Sequence, residues 1–149
     1  MNENLIIQDV LFGSELYEQT VALRHDILRK PLGMEFTPEQ LAEEHDSWHL
    51  AAFNEQGDML ACLILKPLPE AGIVKMRQVA VKASEQGKGL GSQLVAASEA
   101  LALKRNRPHI VLHARETACN FYKRLNYSIV GDQFEEVGIP HYRMEKKMI

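Results

Sequence analysis

A chain of 149 residues with 46% hydrophobic and 25% charged residues has the make-up of one globular domain, long enough to bury about two-thirds of its unfolded surface around a single core. Its 17 lysines and arginines are outweighed by 20 acids, which excludes the global basic field of a nucleic-acid binder. No apolar run approaches a membrane span, and the N-terminal residues lack the basic start and apolar stretch of a signal peptide, so a cytoplasmic protein without a membrane partner is expected. Cys62 and Cys119 stand in unrelated contexts without metal-ligand spacing, which predicts two buried thiols and no metal site.

Leu5 to Leu11 reads as a first strand. Gly13-Ser14 then opens a helix with Leu16, Thr20, Leu23 and Ile27 on one face, ended by Lys30-Pro31-Leu32-Gly33. Thr37-Pro38-Glu39-Gln40 starts a short second helix, with Thr37 as cap, Pro38 at the first helical position and Gln40 completing a capping box. Trp48 to Phe53 and Met59 to Leu65 form a hairpin about Glu55-Gln56-Gly57-Asp58, and Gly72 to Val81 adds a third strand to the meander.

The stretch Gln86-Gly87-Lys88-Gly89-Leu90-Gly91-Ser92 lies between that strand and a helical run from Ser92 to Lys104. Three glycines within five residues permit positive φ and close backbone approach, and the first turn of the helix offers unpaired N–H donors and a positive dipole end. The expected ligand is a pyrophosphate. A triphosphatase loop is excluded because Gly89, not a hydroxyl residue, follows Lys88. A dinucleotide fingerprint fails on spacing, since the third glycine position falls on Ser92 or Leu94, and too little chain follows for the repeated halves of such a domain.

Beyond the loop, Leu90, Leu94, Ala97 and Leu101 mark a buried helix face, and His109 to His113 is a short strand whose order implies a parallel right-handed crossover. Thr117 to Leu125 is the next helix, with Asn126 at its exit suited to the left-handed region. Tyr127 to Val130 and His141 to Met148 are two last strands around a loop containing Gly138-Ile139-Pro140. The order β-α-α-β-β-β-α-β-α-β-β describes an α/β domain, a mixed sheet with helices on both faces, spanning residues 1–149.

Gln86-x-x-Gly89-x-Gly91 resembles the Gln/Arg-x-x-Gly-x-Gly/Ala signature of the GCN5-related N-acetyltransferases (GNAT superfamily). About thirty residues on, Asn120-Phe121-Tyr122-Lys123-Arg124-Leu125-Asn126-Tyr127 is similar to the family's Phe-Tyr-x-x-Leu-Gly-Phe motif, with Asn126 in place of glycine. The resemblance implies a splayed sheet with acetyl-CoA in the split and its pyrophosphate on residues 86–92. Backbone groups of Val79, Ala80 and Val81 would pair with the pantetheine arm, Asn120 would touch the same cofactor, and Tyr122 would face the thiol as general acid. The tail Val137-Gly138-Ile139-Pro140-His141 also looks like that of a subgroup of small bacterial acetyltransferases.

An amine attacking a thioester must first lose a proton, and a histidine suits that task. His113, at the end of the strand facing the split, is the preferred base; His45, His49 and His141 are the others, with Glu44 and Asp46 acting through a water. Arg24, Arg29, His49, Arg77, Arg115 and His141 are the candidate substrate contacts, with Arg115 standing where many family members carry asparagine. The expected activity is acetyl transfer from acetyl-CoA to the primary amine of a small molecule, by direct attack in a ternary complex. An acyl-CoA sensing module and a protein-directed acetyltransferase are the alternatives. A homodimer through edge strands is compatible with a small mixed sheet.

Overall fold

The computed structural model describes residues 5–148. Eight strands form one sheet: β1 (Ile6–Val10), β2 (Trp48–Phe53), β3 (Met59–Pro67), β4 (Ile73–Val81), β5 (His109–Arg115), β6 (Ser128–Ile129), β7 (Phe134–Glu136) and β8 (Ile139–Lys147). Their order is β1-β2-β3-β4-β5-β8-β6, with β7 on β8. Every pairing is antiparallel except β4 with β5, as the crossover through a helix requires. The helices are α1 (Glu15–Arg24), α2 (Pro38–Ala42), α3 (Leu90–Lys104) and α4 (Cys119–Arg124).

Local chemistry fixes the element ends. The Ser14 hydroxyl accepts from Tyr17 N–H at the start of α1, and the capping box at α2 is complete, with Thr37 and Gln40 each bonding the other's backbone N–H. In the β2-β3 hairpin the Asn54 carboxamide oxygen accepts from the N–H groups of Gln56 and Asp58. Asn126 leaves α4 at φ 72°, while Tyr127 N–H bonds back to the Tyr122 carbonyl.

Strand alternation divides the core in two. Leu50, Ala52, Leu63 and Leu65 face α3 and meet Leu94, Val95 and Ala102, whereas Ala51, Phe53, Cys62 and Ala80 face α1 and meet Tyr17. Both cysteines are free and buried, as expected.

Three features depart from the sequence reading. Tyr17, Thr20 and Arg24 are the buried residues of α1, and Leu16, Leu23 and Ile27 only partly buried, because the Arg24 guanidinium is drawn inward by Glu44. The first helix also does not simply end: it widens into a π turn, His25–Arg29, then a 3₁₀ turn closed by Gly33 at φ 66°. The loop before Gly138 contains an extra strand, β7, joined to β8 by Val137 (φ 47°) and Gly138 (φ 72°), both in the left-handed conformation of a type I′ turn.

Candidate active site

The β4-β5 ladder runs from Ile73↔His109 to Met76↔Leu112 and stops, although the strands continue to Val81 and Arg115. A bulge is the physical cause. Between the pairs Cys62↔Ala80 and Ile64↔Arg77, two steps along β3 oppose three along β4, with Gln78 at φ 55°. Such an insertion bends and twists its strand, here away from β5. The result is a V-shaped split with a cavity at each end.

The cavity on the α3 side, about 540 Å³, is lined by Val79, Val81, Gln86, Gly87, Gly89, Leu90, Gly91 and Ser92, together with Phe121 and Tyr122. Gly87 and Gly89 use positive φ, 81° and 82°. Gly91 does not; a Cβ there would come within 3.3 Å of Phe121, so its smallness keeps α3 against α4. Gly89 caps α3 without a side-chain bond, which leaves the first-turn N–H groups open toward the cavity. The Gln86 carboxamide donates to the Val81 carbonyl and ties the loop to the end of β4. These residues fit a pyrophosphate-bearing cofactor: donors, dipole and room coincide, α3's first turn carries no acidic side chain, and Glu85, which also lines the cavity, is paired with Lys88 at 2.8 Å.

Three of the expected cofactor residues do not line this cavity with their side chains. Lys88 reaches Glu85 at 2.8 Å, Asn120 is exposed, and the Ala80 side chain is buried in the core on the α1 side. The backbone of Lys88 still belongs to the glycine loop, and that of Ala80 to the strand that borders the split.

Tyr122 stands where the two cavities meet and is 8% exposed. Its hydroxyl makes no hydrogen bond to the described residues, and burial alone pushes its pKa up to about 12. It is a neutral phenol, held by edge contacts with Phe121 and Tyr127.

The second cavity, about 310 Å³, is where the expected acceptor-side residues gather: His113, Arg115, Arg77, Arg29 and His141 all line it. Register explains the meeting. Arg77 follows the last β4-β5 pair, and Arg115↔His141 are partners across β5-β8, so alternation places these side chains with His113 on the sheet face below α1. The π turn brings Ile27, Leu28 and Arg29 over that face, and Arg115 Nη2 donates to the Leu28 carbonyl at 3.4 Å.

Glu136 was not foreseen, because it sits on β7. Its carboxylate links two imidazoles: Oε1 is 2.9 Å from His113 Nδ1, and Oε2 is 3.6 Å from His141 Nε2. His141 Nδ1 also donates to the Ile139 carbonyl at 2.8 Å, which fixes its tautomer and leaves Nε2 as the basic nitrogen. Phe134 packs edge-on against His113 and stacks on His141. Burial opposes the Glu136 charge, but the bond from His113, with the nearby His141 and Lys75, outweighs it and holds the carboxyl below its ordinary value.

Two candidate substrate contacts are corrected. Arg24 is fully buried, paired with Glu44 through two bonds of 2.8 and 2.9 Å, so no ligand in the split reaches it. His49, 3% exposed, bonds the Glu44 backbone carbonyl and lines neither cavity. Glu44 is thereby removed as a base as well. Burial would raise its carboxyl, but Arg24, with the Tyr17 hydroxyl, more than compensates and holds it below the ordinary range. This buried cluster is the pedestal beneath the π turn, not part of the site.

A sheet opened by a β4 bulge, with a glycine loop at one end and a tyrosine at the junction, is the frame of this site. The chain belongs to the acetyltransferase (GNAT) domain family, which matches residues 32–148. Among solved structures, an acyl-CoA N-acyltransferase from Pseudomonas aeruginosa superposes with a TM-score of 0.76 at 24% identity, covering 97% of this chain and 99% of that one. An aminoglycoside 6′-N-acetyltransferase complexed with coenzyme A superposes at 0.79 with 18% identity, covering 97% of each chain. At such identities the likeness is one of fold. The uncharacterised protein YyaT of Bacillus subtilis (strain 168) is 30% identical over 74 residues, a match spanning 50% of either chain. No helix among the described residues is long and apolar enough to cross a membrane.

Proposed function

We propose that this protein transfers an acetyl group from acetyl-CoA to the primary amine of a small molecule, by direct attack with both substrates bound. The observation that carries this reading is the split itself, continuous from the glycine loop, past Tyr122, to a polar cavity large enough for a small acceptor. Acetyl-CoA, when bound, supplies a thioester carbonyl and a thiolate leaving group.

The loop N–H groups of residues 87–92 hold the pyrophosphate, and the free edge of β4 along residues 79–81 pairs with the arm. The 310 Å³ cavity holds the amine against the carbonyl. The Nε2 of His113, whose Nδ1 is held by Glu136, takes the amine proton, and His141 packs on the other oxygen of that carboxylate. As the C–N bond forms and the C–S bond breaks, the Tyr122 hydroxyl gives its proton to the departing sulfur. No enzyme nucleophile is needed, and the buried thiols of Cys62 and Cys119 lie outside this sequence of events.

Amine-dependent release of thiol from acetyl-CoA tests the reading. Turnover that depends on the amine and falls in Tyr122→Phe supports it; an intact donor complex with no acceptor-dependent thiol release from any amine would leave a binding module instead.

A further inference from the structure

The acceptor cavity carries more positive charge than amine chemistry asks for. Arg29, Arg77 and Arg115 line one 310 Å³ space, and none of the three makes an ion pair among the described residues. Their partners among the described residues are uncharged: Arg29 lies 4.6 Å over the Phe36 ring, and Arg115 donates to the Leu28 carbonyl. In a chain of net charge −3, three guanidinium groups are gathered here, and Glu136, the carboxylate that lines the same space, is engaged by His113 and His141. Burial, then the charges of Arg77 and Arg24, with Arg115 adding to them, hold the Arg29 guanidinium below its ordinary value, Glu44 acting against them. Like charges set this close repel one another, and an anion among them relieves that repulsion.

The same space also offers acceptors. Glu136 lies against His113 and His141, the latter beside Arg115 in the β5-β8 register, and the Gln78 carboxamide oxygen, buried at the β4 bulge, has no hydrogen-bond partner among the described residues. That oxygen is matched by an N–H donor. A ligand that carries both an oxyanion and an amine satisfies the arginines and these acceptors at once.

We propose that the acceptor is a small amine that also bears an oxyanion, a carboxylate or a phosphonate, held by Arg29, Arg77 and Arg115 while its nitrogen faces Gln78 and the Glu136 histidines. This rests on the acyltransferase reading for the role of the ligand, though not for its binding. Arg forks grip both kinds of oxyanion in paired hydrogen bonds, and an alkylamine of the same shape without the oxyanion leaves them unmatched.

The test is calorimetric titration of the full chain, with and without saturating CoA, using matched pairs: leucine against isoamylamine, and aminomethylphosphonate against methylamine. The oxyanion-bearing member of at least one pair should bind ten- to a hundredfold tighter than its alkylammonium partner, and the pair that shows it tells carboxylate from phosphonate. Arg77→Gln/Arg115→Gln should abolish that preference and keep the melting temperature and CoA affinity. Equal or tighter binding of the alkylamines, no heat from either oxyanion-bearing ligand, or a preference that survives in the variant would overturn the proposal. Failure of CoA itself to bind would instead refute the acyl-CoA reading, and the titrations without CoA would still decide the anion site.

Discussion

Tyr122 and Glu44 show how the same tool, burial, yields opposite uses. Around Tyr122 nothing compensates for burial, which pushes the phenol up to about 12 and keeps it protonated at neutral pH, the form that the proposed proton transfer to a thiolate needs. Tyr122→Phe should therefore lower turnover about tenfold to a hundredfold with donor affinity unchanged, and any alkaline limb of the rate profile below about pH 12 must belong to another group. Unaltered turnover in the variant would remove Tyr122 from the chemistry. Around Glu44, Arg24 more than compensates, and the folded carboxyl titrates below its unfolded value. Its contribution to stability is complete above the ordinary carboxylate range and is lost as pH falls through the folded value. Glu44→Gln strands the Arg24 charge and should cost about 3–5 kcal/mol near neutral pH in denaturant unfolding, with the difference from wild type shrinking in acid. A variant as stable as wild type would mean that the pair is not buried in solution.

At the scale of elements, two turns set the geometry. Gly89 enters α3 at φ 82°, where a β-branched residue is strained, so Gly89→Val should weaken CoA binding at least tenfold and lower stability by about 1–3 kcal/mol, the cost of that strain, with the fold retained. The β7-β8 turn makes the opposite choice, placing a β-branched residue, Val137, at φ 47° on the rim of the acceptor cavity. Val137→Asn should raise stability by about 1 kcal/mol in thermal unfolding, since asparagine adopts that conformation cheaply. A lower melting temperature would show that the packing of Val137 outweighs its backbone strain. This hairpin also marks where sequence stopped being informative. Phe134-Glu135-Glu136 has no apolar alternation, so β7 reads as loop and Glu136 as a surface acid, although Val137-Gly138 was a turn signal in plain view. The π turn was equally hidden: helical spacing assigns Arg24 and Arg29 to different faces but cannot say that one pairs inward with Glu44 and the other overhangs the split.

The whole molecule was legible where local chemistry and tertiary demand agree. The α2 capping box, the β2-β3 hairpin, the left-handed Asn126 and the crossover through α3 were all read from the chain, because each is specified by a few adjacent residues. The split was implied by resemblance and not by spacing, since it depends on a one-residue register slip between β3 and β4 that no pattern of side chains announces. Of the site, the glycine loop, Tyr122, His113, His141 and the three arginines converge on one cleft, whereas Arg24 and His49 do not. In the proposed reaction the split orders function along one axis: donors for the pyrophosphate at one end, the phenol in the middle, proton-accepting and charged groups at the other. That order is the central claim, and calorimetric titration with acetyl-CoA and then desulfo-CoA, on wild type and Gly89→Val, tests it most directly. Binding of both ligands with Kd on the order of micromolar by wild type, and at least tenfold weaker binding by the variant, is the predicted result. No heat from either ligand, or equal affinity in the variant, would contradict it and reduce the glycine loop to a turn.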